Sequence, residues 1–373
     1  MLLVIPCQSR VTTAGFCPSA SDGQYRRSSQ LIVGWDIGGA HLKACLLNQD
    51  AQIVNIWQLP CPVWRGLDEL HQCMQQVTQE LTLHVHNQPL AHAVTMTAEL
   101  VDLFENRMDG VEQIAQAIAQ WIPQAKLYAG KQGFVDISQA HLYASLIASA
   151  NWMASAQLAA KYYAQVLLVD IGSTTTDFIY VRDGQVQNIG MDDAHRLQED
   201  ELLYSGVVRT PLMALTPRIE WMGKQTNVAA EYFATTADVY RLTAELAAHH
   251  DLAATADGKD KSVTATCRRL ARMVGADVES ADTQVWLALA QAFRKAQLEL
   301  LQQSLERLVH RHNIPQQLAL LGVGAGAFLV KQLAINSQRD FMSPEQLITT
   351  QDQHLLDLAM MCFPAYAIAR LAL

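Results

Sequence analysis

The chain has 373 residues, half of them hydrophobic, and a net charge of −9. Since an acidic protein repels phosphate backbones and anionic lipids, this composition argues against a broad nucleic-acid-binding or membrane-binding surface. The seven cysteines are scattered without a C-x-x-C pair, and no apolar run reaches the length of a membrane span. We therefore expect a protein of the reducing cytoplasm, with two domains or one large one.

The N-terminal thirty residues differ from the rest of the chain. The initial apolar run is short and no basic residue precedes it, which makes it a poor signal peptide. Ser, Gly, Arg and Gln then dominate as far as Gln30. Residues 1–30 are predicted to be a disordered extension, or to lie upstream of the start codon that the cell uses.

Predicted strands and helices follow from residue 31, beginning with three strands joined by tight turns. In chain order these elements are strands at 31–37, 41–47 and 52–59, a helix at 67–82, a strand at 91–96, a helix at 111–121, a strand at 126–129 and an Ala-rich helical stretch at 138–163, broken near Asn151.

The same order restarts at residue 166, with an Asp-Gly hairpin turn at 183–184. The elements are strands at 166–171, 175–182 and 185–189, helices near 235–249 and 264–274, a long helix at 286–311, a strand at 318–321, a helix at 328–333 and a final helix at 354–371. The pattern predicts a duplicated α/β fold, with domains at 31–164 and 165–373 and a polar insertion at about 200–283. Antiparallel opening strands argue against a Rossmann start.

The two halves carry the same acidic, glycine-containing turn after a buried strand. It occurs in "VGWDIGGAHLKA" and, 134 residues later, in "LVDIGSTTTDF". Glycine lets backbone amides approach phosphate oxygens, and hydroxyl groups add donors. A plain polar hairpin would explain one copy, whereas two matched copies favour a clamp for a polyphosphate. The predicted phosphate-binding residues are Gly38, Gly39, Gly172, Ser173, Thr174 and Thr175.

The aspartates of these turns predict a metal ion, because a carboxylate beside a phosphate needs an intervening cation. Asp36 and Asp170 are therefore predicted to face one Mg²⁺, partly through water. Lys43 follows the first turn and is predicted to meet the phosphate. Asp177 takes the equivalent position after the second turn. It is predicted either to face the substrate or to contact the residues that bind the ligand.

Three further segments contain candidate site residues. Glu99 follows the strand at 91–96 and is a candidate general base, whereas Asp102 and Glu105 also suit an ordinary helix start. Arg209 in the insertion can bind a carboxylate through two hydrogen bonds. A late turn, "LLGVGAGAFLV", can contact the organic part of a ligand or simply permit close packing. Its glycines are Gly322, Gly324 and Gly326.

Other polar residues are ambiguous or are predicted to lie at the surface. Asp238, Asp257 and Lys259 in the insertion either face substrate or lie in surface loops. The histidine pairs at 84 and 86, 249 and 250, and 310 and 312 lack a third ligand in a convincing register, which favours surface positions. The arginines at 268, 269 and 272 are predicted to form a solvated helix face.

The two D-x-G hairpins and the late glycine turn resemble the actin-like ATPase superfamily, whose ribonuclease H-like domains flank a cleft. The segments "GWDIGGAHLKA", "TMTAELVDLF", "VDIGSTTTD" and "YSGVVRTP" resemble the hydantoinase A/oxoprolinase-related branch more closely. Within it, they resemble tetrahydromethanopterin-linked one-carbon transfer pathway proteins, which are similar to a furan-methanamine synthase of methanofuran biosynthesis. The resemblance spans almost the whole chain after residue 30.

This resemblance implies a Mg²⁺-dependent transferase that joins an aminomethylfuran-methyl diphosphate to the phenol of γ-glutamyltyramine and releases diphosphate. Asp36, Lys43, Glu99 and Asp170 would be catalytic, and Asp177, Arg209 and the late glycines would contact substrate. The expected partners are these small molecules, without nucleic acid or membrane, and self-association is left open. Two alternatives remain: an ATP-dependent small-molecule kinase or hydantoinase/oxoprolinase-like hydrolase, and a non-enzymatic actin-like ATPase.

Overall fold

The computed structural model describes residues 30–85 and 88–373. The first half is built on a six-stranded sheet of order β3-β2-β1-β4-β5-β6, in which β1 pairs antiparallel with β2 and parallel with β4. Its strands are β1 (Leu31–Ile37), β2 (His41–Leu47), β3 (Ile53–Pro60), β4 (Leu90–Met96), β5 (Lys126–Tyr128) and β6 (Phe134–Asp136). Its helices are α1 (Leu67–Val85), α2 (Arg107–Trp121), α3 (Ala140–Ile147) and α4 (Asn151–Tyr162).

The second half is built on a sheet of order β10-β8-β7-β13-β14, with β9 also paired to β8 and a separate β11–β12 hairpin. Its strands are β7 (Gln165–Ile171), β8 (Thr176–Arg182), β9 (Gln185–Val186), β10 (Leu202–Leu203), β11 (Arg218–Trp221), β12 (Lys224–Asn227), β13 (Leu320–Val323) and β14 (Phe341–Met342). Its helices are α5 (Asp193–Gln198), α6 (Thr236–Leu242), α7 (Val263–Arg272), α8 (Thr283–His312), α9 (Ala327–Asn336), α10 (Gln353–Met361) and α11 (Phe363–Ala372).

The two sheets repeat one topology. In each, a first strand pairs antiparallel with the second and parallel with a later strand: β1 with β2 and β4, and β7 with β8 and β13. Every residue of β1 is buried, as expected for a central strand covered on both faces. The predicted duplicated α/β fold of actin-like, ribonuclease H-like domains is confirmed.

A core between the two sheets joins the halves. It contains residues of α4 and α11 together with residues of β7 and β8. Helix α11 packs on β1 so closely that a Cβ built on Gly34 would lie 2.3 Å from the Ala365 carbonyl oxygen. The C-terminal helix therefore returns to the first sheet, and the domain boundary at 164/165 stays a prediction.

The structure differs from the sequence prediction in several elements. The single helix predicted at 354–371 is two helices, α10 and α11, bent by 96° with Pro364 in the first turn of α11. The helix predicted near 235–249 ends at Leu242. The structure also contains short elements that no periodic sequence pattern predicts: β6, α5, β10, β11, β12 and β14.

Some predictions concern residues outside the described ranges, namely the N-terminal extension up to residue 29 and the side chain of His86. Among the described helices, no single one is long and apolar enough to cross a membrane. Only α10 and α11 meet that test jointly, as a sharply bent pair, and most residues of α11 are buried.

Candidate functional site

A cleft of about 440 Å³ opens at the turns that follow β1 and β7. Both predicted phosphate-binding turns line it, together with most of the predicted charged residues: Asp36, Gly38, Gly39, Lys43, Asp170, Gly172, Ser173, Thr174, Thr175, Asp177 and Arg209. The predicted site residues that lie outside this lining are Glu99, Gly322, Gly324 and Gly326. Two turns that are far apart in sequence therefore face one space.

The first turn is closed by a hydrogen bond from the Gly38 N–H to the His41 carbonyl oxygen at 3.0 Å. At its tip, the carbonyl oxygens of Gly39 and Ala40 accept hydrogen bonds from the backbone N–H groups of Val63 and Cys61, respectively. Within the described part of the chain, the N–H groups of Gly39 and Ala40 have no acceptor. They are therefore available to bind phosphate oxygens.

The second turn repeats this geometry with hydroxyl residues at its tip. The Gly172 N–H donates to the Thr175 carbonyl oxygen at 2.9 Å, and the carbonyls of Ser173 and Thr174 accept from the loop that begins at Gly206. A Cβ built on Gly206 would lie 2.4 Å from the Ser173 carbonyl carbon, so glycine lets this loop touch the turn. The Ser173 and Thr174 hydroxyls, 3.5 Å apart, add hydrogen-bond donors at the cleft.

Asp36 and Lys43 are cross-strand partners and form an ion pair at 3.4 Å. Asp36 is 2 % exposed, and its Oδ1 has no hydrogen-bond partner among the described residues. Burial opposes the charge of Lys43, but Asp36 and Asp170 outweigh burial and raise the pKa of the ammonium group. The pair thus presents a positive charge and an unused carboxylate oxygen at the cleft.

Asp170 and Asp177 hold the equivalent positions in the second half, and there both residues are acidic. Burial and the negative charges of Asp177 and Asp36 raise the pKa of Asp170 to about 7, against the opposing effect of Lys43. Burial also raises the pKa of Asp177, partly offset by Arg196, whose Nη2 lies 2.8 Å from the Asp177 Oδ1. Carboxylates that disfavour each other's charge would be stabilised by a bound cation.

Glu99 lies in a 3₁₀ turn after β4 and is 1 % exposed. The Ser149 hydroxyl, which does line the cleft, donates to the Glu99 Oε1 at 2.7 Å. The Asp193 Oδ2 lies 3.4 Å from the same hydroxyl and 3.2 Å from the Arg107 Nη2. Burial raises the pKa of Glu99 to about 7, although the Ser149 hydrogen bond lowers it. Glu99 is therefore linked to the cleft lining by its hydrogen bond from Ser149.

Arg209 and Trp64 form a pair at the cleft. The Arg209 guanidinium carbon lies 5.2 Å from the centroid of the Trp64 ring, which is 43 % exposed. Burial, Lys43 and Arg209 together lower the pKa of His41 to about 4, so the imidazole is neutral at pH 7. Arg209 thus lines the cleft beside an aromatic ring, an arrangement that suits an anionic and aromatic ligand.

The late glycine turn packs against the second hairpin and does not line the cleft. A Cβ built on Gly324, whose φ is +83°, would lie 2.5 Å from the Asp170 Oδ1. A Cβ on Gly326 would lie 2.4 Å from the Ile171 Cγ2, and one on Gly322 would also meet packed side chains. The structure favours the packing alternative for these glycines, which includes leaving room for the Asp170 carboxylate, and their predicted contact with substrate stays a prediction.

Two of the three ambiguous charged residues of the insertion, Asp238 and Asp257, join an ionic cluster away from the cleft lining. Asp238 is 1 % exposed and accepts hydrogen bonds from the Arg269 Nε at 2.7 Å and the Arg241 Nη1 at 2.8 Å. Asp257 pairs with the Arg269 Nη1 at 3.1 Å, and Lys259 is exposed. The predicted solvated arginine face is therefore wrong for Arg269, which is fully buried and joins α7 to α6.

Sequence reasoning missed several polar residues that line the cleft: His41, Ser149, Asn151, Asp193, Arg196 and Tyr204. His41 belongs to the first of the two repeated turn segments, whereas tertiary packing alone brings most of the others together. Two signals existed: Ser149 falls at the predicted break between helices, and Tyr204 opens the "YSGVVRTP" segment.

A protein-family model described as hydantoinase/oxoprolinase matches residues 91–349. The chain belongs to the hydantoinase/oxoprolinase family. This family member is 27 % identical over 343 residues to the (4-{4-[2-(gamma-L-glutamylamino)ethyl]phenoxymethyl}furan-2-yl)methanamine synthase of Methanocaldococcus jannaschii, with 91 % of this chain and 97 % of that protein aligned. The synthase of the same name from Methanococcus vannielii is 29 % identical over 158 residues, 42 % of this chain and 70 % of that protein.

Among solved structures, the family member is similar to nucleotide-free acetone carboxylase. The TM-score is 0.51 with 9 % identity, and the match covers 91 % of this chain and 70 % of that chain. At this identity the likeness concerns the fold alone, and it agrees with the duplicated actin-like architecture described above.

Proposed function

We propose that this hydantoinase/oxoprolinase family member is a transferase of methanofuran-type cofactor synthesis, serving tetrahydromethanopterin-linked one-carbon metabolism. It joins an aminomethylfuran-methyl diphosphate to the phenol of γ-glutamyltyramine and releases diphosphate. The observation that carries this proposal is the convergence of the Asp36 and Asp170 turns on one cleft. Similarity over 91 % of the chain to a synthase named for such a phenoxymethylfuran product supports the substrate class.

The two turns suit the two phosphoryl groups of a diphosphate. Each turn has its tip carbonyls engaged by a neighbouring segment, which leaves amides and, in the second turn, hydroxyls as donors. Lys43 lines the same space and supplies a positive charge. Donors and a cation fixed before the reaction stabilise negative charge on the leaving group at little reorganisation cost.

The carboxylates of the turns fit Mg²⁺. Asp36 has a buried oxygen without a described partner, and the charge of Asp170 is disfavoured by its acidic neighbours. Among the described residues, no three His, Cys, Asp or Glu side chains converge as a complete ligand set. Mg²⁺ commonly binds one or two carboxylates together with substrate phosphates and water, so Asp36 and Asp170 suffice. When bound, it would neutralise charge that develops on the leaving diphosphate.

The remaining polar residues have assignable roles in the transfer. The bond from the furan-bearing methylene carbon to the diphosphate oxygen breaks, and a bond from that carbon to the phenol oxygen forms. Glu99 is the proposed base for the phenol proton. Arg209 binds the carboxylate of the glutamyl group, with Trp64 as an aromatic wall beneath it.

An ATP-using kinase or hydrolase of the same family is the second candidate, because turns that bind a diphosphate also suit the phosphates of a nucleotide. The late glycine turn is packed against the Asp170 hairpin and lies outside the cleft lining. The diphosphate transferase needs no base-binding pocket, and we therefore prefer it.

We also infer that the protein works in the cytoplasm. All five described cysteines, Cys45, Cys61, Cys73, Cys267 and Cys362, are free and buried, which suits a reducing compartment.

Calorimetric titration with Mg²⁺–diphosphate and with Mg²⁺–ATP tests the proposed ligand. We expect diphosphate to bind the wild-type protein and to bind Asp36→Asn and Asp170→Asn at least tenfold more weakly. Asp136→Asn is a matched control, because this aspartate lies on the first sheet with a side chain that is 60 % exposed. Tighter binding of ATP than of diphosphate, accompanied by ATP turnover, would favour the second candidate.

A further inference from the structure

A row of hydrogen-bonded groups leads from the buried interior to the cleft. The Ser149 hydroxyl lies 2.7 Å from the Glu99 Oε1 and 3.4 Å from the Asp193 Oδ2. Arg107 pairs with the same Asp193 oxygen at 3.2 Å. Ser149 and Asp193 line the cleft, whereas Glu99 does not. Ser149 is thus the polar link between the cleft and the buried carboxylate.

Glu99 is an incompletely satisfied carboxylate. It is 1 % exposed, and its Oε2 has no hydrogen-bond partner among the described residues. Helix α2 packs directly on it: a Cβ built on Gly110 would lie 2.7 Å from the Glu99 carbonyl oxygen. Burial raises the pKa of Glu99 to about 7. A purely structural role gives no reason to bury an acid with one unused oxygen, because such a group costs folding free energy.

Ser149 has a strained backbone. Its φ is +51°, in the left-handed region that residues other than glycine seldom adopt, and it forms the break between α3 and α4. Strain of this kind persists where the surroundings impose it, and it is concentrated at functional sites. Here it places a hydroxyl between a buried acid and the cleft.

We propose that Ser149 relays the proton of the phenol acceptor to Glu99. This inference rests on the proposed function and deepens it. As the phenol oxygen bonds to the methylene carbon and diphosphate departs with the electron pair of the broken bond, the phenol proton passes to the Ser149 Oγ. The proton that Ser149 carried passes to the Glu99 Oε1, which leaves a neutral glutamic acid and an unchanged serine.

The surrounding charges favour Glu99 over Asp193 as the terminal acceptor. The Ser149 Oγ lies closer to the Glu99 Oε1 than to the Asp193 Oδ2, and Asp193 is already paired with Arg107. The charged groups that act on Glu99 are these two residues, of which Asp193 raises its pKa and Arg107 lowers it. Tyr204 also lines this part of the cleft, and burial and Asp193 raise its pKa, so its phenol stays neutral near pH 7.

Two substitutions remove the hydroxyl, and only one of them also relieves the backbone strain. Ser149→Ala keeps a side chain at a positive φ, a conformation that Ala51 and Ala244 also adopt in this chain. Ser149→Gly relieves the strain, because glycine adopts positive φ readily. We expect both variants to lose about 100-fold or more in kcat with little change in the KM for the acceptor, whatever their melting temperatures. Ser155→Ala, at a buried serine of α4 outside the cleft lining, should keep the wild-type kcat.

An acceptor with ring fluorines provides a readout that a structural role would not move. Fluorination lowers the phenol pKa, so the acceptor is largely ionised at pH 8 and needs no base. Ser149→Ala, Ser149→Gly and Glu99→Gln should all recover most of the lost rate with this acceptor. The wild-type kcat/KM with the ordinary acceptor should rise with pH through about 7 as Glu99 ionises, and Glu99→Gln should lose this rise.

The outcomes separate the relay from the proposed function. Loss of kcat in both serine variants with rescue by the fluorinated acceptor supports the relay. Wild-type kcat in either serine variant, or a loss that follows the melting temperature without rescue, overturns the relay alone. A wild-type enzyme that forms no ether product would overturn the proposed function and the relay with it.

Discussion

Asp170 and Asp177 face each other across β7 and β8 at the positions that Asp36 and Lys43 occupy on β1 and β2. The duplicated hairpins have kept their backbone geometry and differ in charge. The first half has an ion pair at 3.4 Å, and the second has two carboxylates with Arg196 beside Asp177. This difference suits a ligand that needs a cation on one side and a fixed positive charge on the other.

Asp170→Asn should abolish transfer and yet stabilise the metal-free protein at high pH. The pKa of Asp170 is raised to about 7 in the folded state. Between about pH 4 and pH 7 the unfolded chain therefore loses this proton while the folded protein keeps it, and the free energy of unfolding falls as the pH rises. Above pH 7 the charged carboxylate destabilises the folded protein. Because one pKa unit corresponds to about 1.4 kcal/mol, we expect a gain on the order of 1–4 kcal/mol at pH 8.

Chemical denaturation in a chelating buffer at pH 5 and pH 8 measures the gain in unfolding free energy of Asp170→Asn over the wild-type protein. Asp136→Asn is the control. The gain should shrink as the pH is lowered towards 4. A loss of stability of equal size at both pH values would instead identify Asp170 as a structural residue.

Lys43→Met should lower both stability and diphosphate affinity. Removing the ammonium group leaves Asp36 buried without its partner, which should lower the free energy of unfolding by about 1–3 kcal/mol. Diphosphate should bind at least about 10-fold more weakly, because the cleft loses a positive charge. The double variant Asp36→Asn/Lys43→Met should recover stability without recovering binding. Thermal unfolding and calorimetry measure the two effects, and Lys126→Met, at an exposed ion pair, is the control. Unchanged diphosphate affinity in Lys43→Met would be inconsistent with a phosphate contact.

Gly206→Ala should disturb the second phosphate-binding turn from outside the cleft. The new Cβ would lie 2.4 Å from the Ser173 carbonyl carbon, so the turn must shift, and we expect a loss of about 1–3 kcal/mol with weaker diphosphate binding. Gly172→Ala is the matched variant, because its Cβ would meet only the Thr175 carbonyl oxygen, at 3.6 Å. Its unfolding free energy should stay within about 1 kcal/mol of wild type. Equal tolerance of both substitutions would argue against a turn held by the 206 loop.

Arg209→Ala should raise the KM for γ-glutamyltyramine about 10-fold or more and leave the KM for tyramine, which lacks the glutamyl carboxylate, unchanged. Arg209→Lys should recover only part of the affinity, because lysine cannot form the paired hydrogen bonds of a guanidinium. Steady-state kinetics with both acceptors measure this, with Arg218→Ala on the exposed β11–β12 hairpin as the control. A parallel rise in KM for both acceptors would contradict carboxylate recognition.

Local patterns predicted the hairpins well because a strand, an aspartate and a glycine turn are contiguous in sequence. Asp36 and Asp170 could therefore be assigned to one site before the cleft that both residues line was known. Ser149 could not, since only packing brings its hydroxyl to within 2.7 Å of Glu99, 50 residues away in sequence. Long-range placement of this kind has no local signature.

Other predictions show where local patterns are ambiguous or fail. Glycines that admit a ligand and glycines that admit neighbouring protein atoms look alike in sequence, and Gly324 packs against Ile171 and Asp170. Arg269 was predicted to be solvated because its partner Asp238 lies 31 residues earlier on another helix. Pro364 lies in the first turn of α11, where proline is compatible with a helix. The helical spacing of apolar residues therefore runs through both α10 and α11, and the 96° bend between them has no signal in that spacing.

The most direct measurement combines the purified full-length chain with Mg²⁺, the aminomethylfuran-methyl diphosphate and γ-glutamyltyramine, without ATP. Released diphosphate is quantified and the ether product is identified by mass spectrometry. We expect diphosphate and ether in equal amounts with the wild-type chain and neither with Asp170→Asn. Absence of ether in the wild-type reaction, together with Mg²⁺-dependent ATP hydrolysis by the same preparation, would contradict the transferase and establish an ATP-using enzyme in its place.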